Sequence, residues 1–297
     1  MKSGVSFDHI SPSRRQAVAW SDDKRVSLIY SDCWVNYPEV KTVRGAVRAV
    51  YGMPPKIQAQ CVLISGDPGM GKTSLFSRIE SDLETALKRS EDPRGYISFT
   101  VPPDPTLSGF EESIEKALGV SIGRMRGGVF PASFTRAFEI RRVRMVLIDE
   151  IHNLLNANRV EQRKNLAFFR ALSSPPLSLS IAAFGTDDAH HSISSDDQLA
   201  RRFQSYKLPR WSENENFRSF LAAYESFLPL KKPSELWGAS KAKYLIKETG
   251  GITDAIVKRI TRGAVWAILD GKESIDMKCL EKAAEIPPYF ESFDDEV

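Results

Sequence analysis

The sequence predicts an α/β fold with a parallel sheet at its core, followed by a small domain made only of helices. Short apolar runs at 61–65, 95–101, 143–148 and 178–184 alternate with helical patterns, and this alternation is typical of βαβ units. A glycine-rich motif separates the first run from the helical pattern that follows it. From 212 to 286 the apolar residues follow helical spacing alone, which predicts the second domain.

Four parts are expected along the 297 residues. An N-terminal appendage covers 1–55, and a nucleotide-binding α/β domain covers 56–211. A helical lid domain covers 212–286, and a flexible acidic tail covers 287–297. No stretch approaches ~18 uninterrupted apolar residues, and the first residues lack the apolar core of a signal peptide. We therefore expect no membrane span and a cytoplasmic location.

Cysteine content and charge narrow the function classes only slightly. The three cysteines are widely scattered and form no C-x-x-C pair, which argues against a disulfide framework or a zinc site. The net charge of +3 permits a local basic surface but does not require a nucleic-acid partner.

The glycine-rich motif has the form G-x-x-x-x-G-K-[ST] and predicts a phosphate-binding loop. Its residues are Gly66, Asp67, Pro68, Gly69, Met70, Gly71, Lys72 and Thr73. Glycines let backbone N–H groups face an anion, and the following helix adds the positive end of its dipole. Lys72 is placed to reach the β- and γ-phosphates, and the Thr73 hydroxyl is placed to ligate Mg²⁺. We expect this loop to bind ATP.

A second chemical signal follows 77 residues beyond Lys72, where an apolar run at 145–148 ends in Asp149 and Glu150. Asp149 is expected to hold Mg²⁺, directly or through water, and Glu150 to polarise the water that attacks the γ-phosphate. Because the metal needs only one of these carboxylates, the pair favours hydrolysis over transfer to another substrate.

Two further segments fit an ATPase that works as an oligomer. The run at 179–184 ends near Thr186, which is a candidate to orient the attacking water, although the segment can also be a plain strand-to-turn junction. Arg201 and Arg202 follow a short capped helix pattern. One of them is a candidate arginine finger, donated to the γ-phosphate of a neighbouring subunit. The alternative is that both are surface cations at a helix end.

Taken together, these motifs resemble those of AAA+ ATPases, and their detail resembles the TniB/TnsC family of transposition regulators. The segments that carry the resemblance are Asp-Glu-Ile-His-Asn-Leu-Leu at 149–155, Gln-Leu-Ala-Arg-Arg-Phe at 198–203, Leu-Pro-Arg-Trp at 208–211 and Trp-Val-Asn-Tyr-Pro at 34–38. The resemblance covers about 30–285. One departure is that the lid arginine of many AAA+ proteins is missing after the Gly-Gly turn at 250–251, where Lys258 or Arg259 is a possible substitute.

The resemblance implies an ATP-dependent adaptor in transposition of the Tn7-like and Tn5053-like kinds. Such proteins use ATP and Mg²⁺, assemble as rings or helical filaments on double-stranded DNA, and connect a TniQ-type targeting protein to the transposase. ATP hydrolysis disassembles them. The alternatives are an AAA+ helicase loader or replication initiator, a nucleotide-locked scaffold with little turnover, and a P-loop kinase of small molecules.

The basic, glycine-rich segment at 119–128 and the helical pattern after it are the candidate DNA surface. Arg124, Arg126 and Arg136 are expected to contact phosphates without reading bases. The alternative is an ordinary solvated loop.

Overall fold

The computed structural model describes residues 7–54, 56–89, 94–125 and 129–289, and the chain divides into two compact units. Residues 39–209 form one unit, which holds every strand of the described chain. Residues 1–38 and 210–297 form the other, whose described part contains helices and no strand. The N-terminal 38 residues, expected to belong to a separate appendage, thus share a unit with the C-terminal helices, and 39–55 belong to the α/β unit.

The α/β unit is built on a five-stranded parallel sheet. Its strands are β1 (Cys61–Gly66), β2 (Gly95–Thr100), β3 (Val143–Asp149), β4 (Ser180–Gly185) and β5 (Phe203–Leu208). Their order is β2-β3-β4-β1-β5, and all four neighbouring pairs are parallel. The predicted α/β fold with a parallel sheet is confirmed. Because parallel strands end at one edge, the carboxyl ends of β1, β3 and β4 come together there.

The central strands are nearly continuous runs of buried apolar residues, as expected for strands covered on both faces. In β3, Met145, Val146, Leu147 and Ile148 are all fully buried. The edge strand β5 is different, because only Leu208 among its residues is buried. The sequence did not predict β5, since polar residues alternate along it in place of an apolar run.

Helices cover both faces of this sheet and connect its strands. They are α2 (Pro38–Gly52), α3 (Lys72–Arg89), α4 (Leu107–Leu118), α5 (Ala132–Ile140), α6 (Arg159–Leu172), α7 (Asp188–Ser194) and α8 (Asp197–Ala200), with a 3-10 turn at Ile151–Asn156. On α3 the predicted apolar face is buried at Leu75, Phe76, Ile79 and Leu83. A cap also defines where α6 begins: the Asn158 side chain accepts the N–H groups of Val160 and Glu161, which satisfies donors that the helix leaves free.

The helical unit consists of five α-helices and a 3-10 turn in its described part. They are α1 (Asp22–Ile29), α9 (Glu215–Glu225), α10 (Ala239–Thr249), α11 (Thr253–Leu269) and α12 (Met277–Lys282), with the 3-10 turn at Arg15–Ala19. Arg25 of α1 is completely buried and donates to the Pro229 carbonyl at 3.0 and 2.8 Å. It also forms an ion pair with Glu273. Throughout the described ranges, each helix is either too short or too polar to cross a bilayer.

Candidate functional site

The loop between β1 and α3 has the backbone shape that a phosphate site requires. Gly69 and Gly71 have φ angles of 78° and 83°, in the left-handed region that glycine adopts at little cost. A Cβ on Gly66 would lie 2.8 Å from the carbonyl oxygen of Leu208, so a side chain there would push β5 away. The remaining loop residues are Asp67, Pro68 and Met70, and Met70 is buried. The motif therefore folds as a tight turn that ends in the N-terminus of α3.

Lys72, the first residue of α3, folds back over this turn. Its Nζ donates to the carbonyl oxygens of Gly66 at 2.8 Å and Asp67 at 2.9 Å, and the residue is only 7% exposed. Burial lowers the pKa of Lys72, and the charges of Glu150 and Asp149 oppose that change. A phosphate chain carries more negative charge than these carbonyl groups and is a stronger acceptor for the ammonium.

Asp149 lies at the carboxyl end of β3 and is 5% exposed. Its Oδ2 accepts the Thr73 hydroxyl at 3.3 Å, and its Oδ1 accepts the Glu150 N–H at 2.9 Å. Burial raises the pKa of Asp149, while the hydrogen bond from the Glu150 N–H works against that rise. A hydroxyl and a carboxylate that converge in this way supply the hard oxygen ligands that Mg²⁺ prefers. The residues present thus fit the predicted metal.

Glu150 lies between β3 and the 3-10 turn that begins at Ile151, and its φ angle is 56°. For a residue other than glycine this left-handed conformation costs about 1–3 kcal/mol, and such strain concentrates at functional sites. Its side chain is 37% exposed, and its Oε2 lies 3.1 Å from Nδ1 of His152. The carboxylate is thus accessible at the same sheet edge as Lys72 and Asp149.

Thr186 follows β4, the strand between β3 and β1. Its hydroxyl is buried with no hydrogen-bond partner among the described residues, and the same holds for Oδ1 of Asp187. The other oxygen of Asp187 accepts from Lys207 Nζ at 2.5 Å. An unsatisfied buried hydroxyl is costly, so Thr186 offers an unused donor and acceptor between the phosphate loop and the carboxylates.

His152 and Lys207 are the two neighbours of this site that sequence reasoning missed. His152 Nδ1 accepts the Thr186 N–H at 3.4 Å and, as noted, lies close to the Glu150 carboxylate. His152 belongs to the Asp-Glu-Ile-His run that carries the family resemblance. Its position two residues after Glu150 is the feature of the sequence that could have indicated a contact with that carboxylate. Lys207 lies on the unpredicted strand β5 and gave no signal of its own.

The structure separates the two candidate finger arginines. Arg202 Nη1 donates to Ser173 O at 2.7 Å, to Ser173 Oγ at 2.8 Å and to Ser174 Oγ at 2.9 Å. It therefore satisfies groups at the C-terminal end of α6. Arg201 follows α8 and is exposed, and its side chain makes no hydrogen bond or ion pair with the described residues. Its guanidinium is available to a partner.

The candidate DNA-contacting residues also differ in whether their charge is already paired within the described chain. Arg124 forms ion pairs with Glu112 at 3.0 Å and with Glu111 at 3.4 Å. Glu111 is 3% exposed, so Arg124 neutralises a buried carboxylate. Arg136 lies on α5, is exposed, and has no ion pair within the described chain. Arg126 lies outside the described residues.

The two cations considered as substitutes for the lid arginine both have partners within the helical unit. Lys258 pairs with Asp254 at 2.7 Å. Arg259 Nη1 donates to the Leu280 carbonyl oxygen at 3.3 Å.

Comparison with solved structures identifies the fold. Drosophila ORC bound to DNA has 13% sequence identity and a TM-score of 0.61, with 90% of this chain and 66% of that chain covered. Cdc6p from Pyrobaculum aerophilum has 13% identity and a TM-score of 0.61, with coverages of 87% and 70%. Aeropyrum pernix ORC1 in complex with DNA has 12% identity and a TM-score of 0.58, with coverages of 87% and 68%.

At such low identities these similarities show the fold alone, and the fold is that of AAA+ P-loop ATPases. The chain spans about two thirds of the length of these structures. No curated protein sequence matches it. The family described as bacterial TniB protein matches residues 25–213, which is more than half of the chain. The sequence resemblance is thereby confirmed, and the chain belongs to the TniB family.

Proposed function

We propose that the protein binds and hydrolyses ATP at the carboxyl edge of β1, β3 and β4. The observation that carries this proposal is that Thr73 of α3 and Asp149 of β3 meet at 3.3 Å, with the Lys72 ammonium within the electrostatic influence of Asp149 and Glu150. Thr186 follows β4, the strand between β1 and β3, and its N–H reaches Glu150 through His152. The fold supports it, because ligands of open parallel α/β sheets bind outside the carboxyl ends of the strands.

Each residue has a separate role in this proposal. The loop from Gly66 to Gly71 surrounds the phosphates, and Lys72 exchanges its carbonyl partners for phosphate oxygens. Thr73 and Asp149 hold Mg²⁺, which when bound neutralises charge that develops on the transferred phosphoryl group. Glu150 accepts a proton from the attacking water. The unpaired Thr186 hydroxyl orients the same water or a γ-phosphate oxygen.

Arg201 completes the site in trans. An exposed arginine whose side chain has no partner among the described residues of its own subunit can reach the nucleotide of a neighbour, where it stabilises transition-state charge. Arg202 is unsuited to this role because it already satisfies the end of α6. The proposal therefore includes a homo-oligomer, either a ring or a helical filament, in which hydrolysis requires two subunits.

The broader proposal is an ATP-dependent regulator of transposition that assembles on double-stranded DNA in the cytoplasm. It couples a TniQ-type targeting protein to the transposase, and ATP hydrolysis disassembles it. Membership of the TniB family supports this role. DNA binding also fits a fold shared with an ORC bound to DNA and an ORC1 in complex with DNA. Arg136 and Arg126 are the proposed phosphate contacts, and Arg124 can contribute only by leaving Glu111 and Glu112.

The substitution Glu150→Gln tests the ATPase proposal most directly. It preserves size and nucleotide binding but removes the base, so phosphate release should fall at least about a hundredfold. Nucleotide affinity, followed with a fluorescent ATP analogue, should stay close to that of the wild type. Hydrolysis at the wild-type rate would refute the assignment of Glu150.

A second candidate function is that of a helicase loader or replication initiator. The similarity to ORC and Cdc6 favours it, because such a protein would share every nucleotide residue and differ only in its partner. Stimulation of transposase strand transfer by the protein with ATP would support the transposition role. Stimulation of helicase loading on DNA, with no effect on strand transfer, would support the alternative. A P-loop kinase would instead transfer the γ-phosphate to a small molecule.

A further inference from the structure

Among the described residues, His152 is the side chain in close polar contact with the Glu150 carboxylate. The distance between His152 Nδ1 and Glu150 Oε2 is 3.1 Å, and the imidazole is 24% exposed. Lys72 also attracts this carboxylate, but its Nζ donates to the loop carbonyls. The orientation of Glu150 therefore depends mainly on one nitrogen of His152.

The same nitrogen also accepts the Thr186 N–H at 3.4 Å. In a neutral imidazole each nitrogen either carries a proton and donates a hydrogen bond or lacks a proton and accepts one. Nδ1 therefore cannot serve both neighbours at once. It must be unprotonated to accept from Thr186, and it must be protonated to donate to Glu150. The Thr186 contact is long for a hydrogen bond, whereas the distance to Glu150 is ordinary. The two neighbours thus compete for Nδ1.

Tight packing holds the turn that carries His152 against the end of β4. A Cβ on Gly185 would lie 2.8 Å from Cβ of Ala189 and 3.0 Å from Cγ2 of Ile151. Ile151 and Leu154 of the 3-10 turn are buried. The turn that carries His152 therefore contacts the end of β4 with no space between them, and a small movement of Thr186 changes its distance to Nδ1.

We propose that His152 is a positioning residue that links Thr186 to Glu150. This inference rests on the proposed ATPase function. When Thr186 moves toward a phosphate oxygen, its N–H leaves Nδ1. The imidazole, which is 24% exposed, then releases the Nε2 proton to solvent and takes up one from solvent at Nδ1, so that the ring stays neutral. Nδ1–H then donates to Oε2 of Glu150 and leaves Oε1 free to accept a proton from water. Occupancy of the phosphate site thereby sets the orientation of the base.

Three substitutions separate positioning from a purely structural role. His152→Asn keeps an amide group near the position of Nδ1, His152→Gln moves it one bond farther, and His152→Phe keeps only the ring shape. We expect kcat to fall by a factor between about 10 and about 100 in the Phe and Gln variants, since a displacement of about 1 Å at a catalytic group can cost about 10²-fold. The Asn variant should keep most of kcat, and KM for ATP should stay within about twofold, because phosphate contacts are unchanged.

Two controls complete the kinetic test. His191→Phe, on the exposed surface of α7, should leave kcat unchanged. In a Glu150→Gln background, His152→Phe should cause no further loss in single-turnover hydrolysis, because it acts through Glu150. The inference fails if His152→Phe retains the wild-type kcat. It also fails if all three variants lose activity and ATP affinity equally.

Imidazole ¹⁵N chemical shifts give a measurement that does not depend on turnover. The chain has four histidines, so the His152 signals can be assigned by their loss in His152→Asn. Addition of Mg²⁺ and a non-hydrolysable ATP analogue should raise the fraction of His152 protonated on Nδ1. An unchanged tautomer in protein that demonstrably binds the analogue would overturn the inference, even if Glu150→Gln confirms the ATPase. Absence of ATP hydrolysis by the wild type, with the tautomer shift present, would instead overturn the proposed function alone.

Discussion

Lys72 illustrates how a single buried charge can be held ready for a ligand. Its ammonium is nearly excluded from water and is satisfied by two backbone carbonyls of its own loop. Neutral acceptors compensate a buried cation less well than phosphate oxygens do. The lysine therefore favours an anionic ligand without needing a change of fold.

The first prediction follows from this environment. Lys72→Ala should reduce ATP affinity below detection, because the substitution removes the cation closest to the β- and γ-phosphates. Lys88→Ala is a matched control, since Lys88 is exposed in the last turn of the same helix. Binding of a fluorescent ATP analogue measures both variants. Equal affinity for the two would contradict the assigned role of Lys72.

The second prediction separates the adjacent arginines. Arg201→Ala should lower ATP turnover roughly 10³-fold, the typical contribution of a finger, with an unchanged melting temperature. Arg202→Ala should destabilise the α/β unit by about 2 kcal/mol, because its buried acceptors at the end of α6 lose their donor. Phosphate release and thermal unfolding of each variant provide the two measurements.

Mixing experiments test whether the finger acts in trans. Subunits with Arg201→Ala and subunits with Lys72→Ala should recover part of the activity when combined, because one interface then has both an intact site and an intact arginine. If hetero-oligomers form and no mixing ratio restores turnover, Arg201 does not act across an interface.

At the scale of whole elements, α1 is held in the helical unit by a buried ion pair. Arg25 is fully buried, and its Nη1 donates a hydrogen bond to Glu273 Oε1 at 2.9 Å. Lys231 Nζ donates to the same oxygen at 2.8 Å. Burial opposes the charged form of Glu273, but the hydrogen bonds from Arg25 and Lys231 outweigh it and lower its pKa to about 2. The pair therefore stabilises the folded protein only while Glu273 is ionised.

The third prediction concerns the pH dependence of this pair. The folded pKa of Glu273 is depressed from 4.5 to about 2, so its contribution to stability is complete above about pH 4.5 and declines as the pH falls toward 2. Glu273→Gln should lower the free energy of unfolding at pH 7 by about 3 kcal/mol, because the buried Arg25 then keeps only the exposed carboxylate of Asp22, at 2.9 Å, as a counter-charge. The difference in free energy of unfolding between Glu273→Gln and the wild type should become smaller as the pH falls from about 4.5 to about 2.

Denaturant unfolding followed across this pH range measures the effect. Glu285→Gln, at an exposed position of the same unit, is the control and should unfold like the wild type at every pH. A constant difference between Glu273→Gln and the wild type from pH 7 to pH 2 would show that ionisation of Glu273 is not involved.

The elements also show which parts of the fold a sequence can predict. β1, β3 and β4 were predicted within two residues of their observed ends, because they are buried on both faces and consist of apolar runs. β5 was missed because an edge strand needs few buried residues. His152 was not assigned a role because its contacts join β3 to β4, and sequence spacing does not reveal a tautomer-dependent contact across strands. The tight turn between β1 and α3 could be predicted because its glycines lie within eight consecutive residues, while its binding of phosphate stays a prediction.

At the scale of the whole molecule, the small net charge of +3 sets the expected mode of DNA binding. One subunit has little electrostatic attraction for a duplex, so affinity must come from many subunits that each neutralise one or two phosphates. Binding should then be cooperative and should depend on ATP. It should show little sequence preference, because phosphate contacts carry no base information.

The fourth prediction tests this mode. In the presence of a non-hydrolysable ATP analogue, log K for duplex DNA should fall by about 0.9 per neutralised phosphate for each log unit of salt. Arg136→Gln should weaken binding to all sequences alike. Arg124→Gln removes the same charge but should have a smaller effect, because Arg124 is paired with Glu111 and Glu112. Fluorescence anisotropy on unrelated duplexes measures these affinities, and absence of binding at low salt would refute the transposition role.

The division of the chain into 1–38 with 210–297, and 39–209, means that the α/β unit is an insertion within the helical one. A protein shortened to begin at residue 39 would keep every strand and every proposed nucleotide residue. It would nevertheless lose Ile10, Val18, Val26 and Ile29, all buried in the helical unit. At roughly 1.5–3 kcal/mol for each such side chain, the loss is comparable to the 5–15 kcal/mol that typically stabilises a whole domain. Trimming the N-terminus would therefore unfold the C-terminal helices, although they lie more than 170 residues away in the sequence.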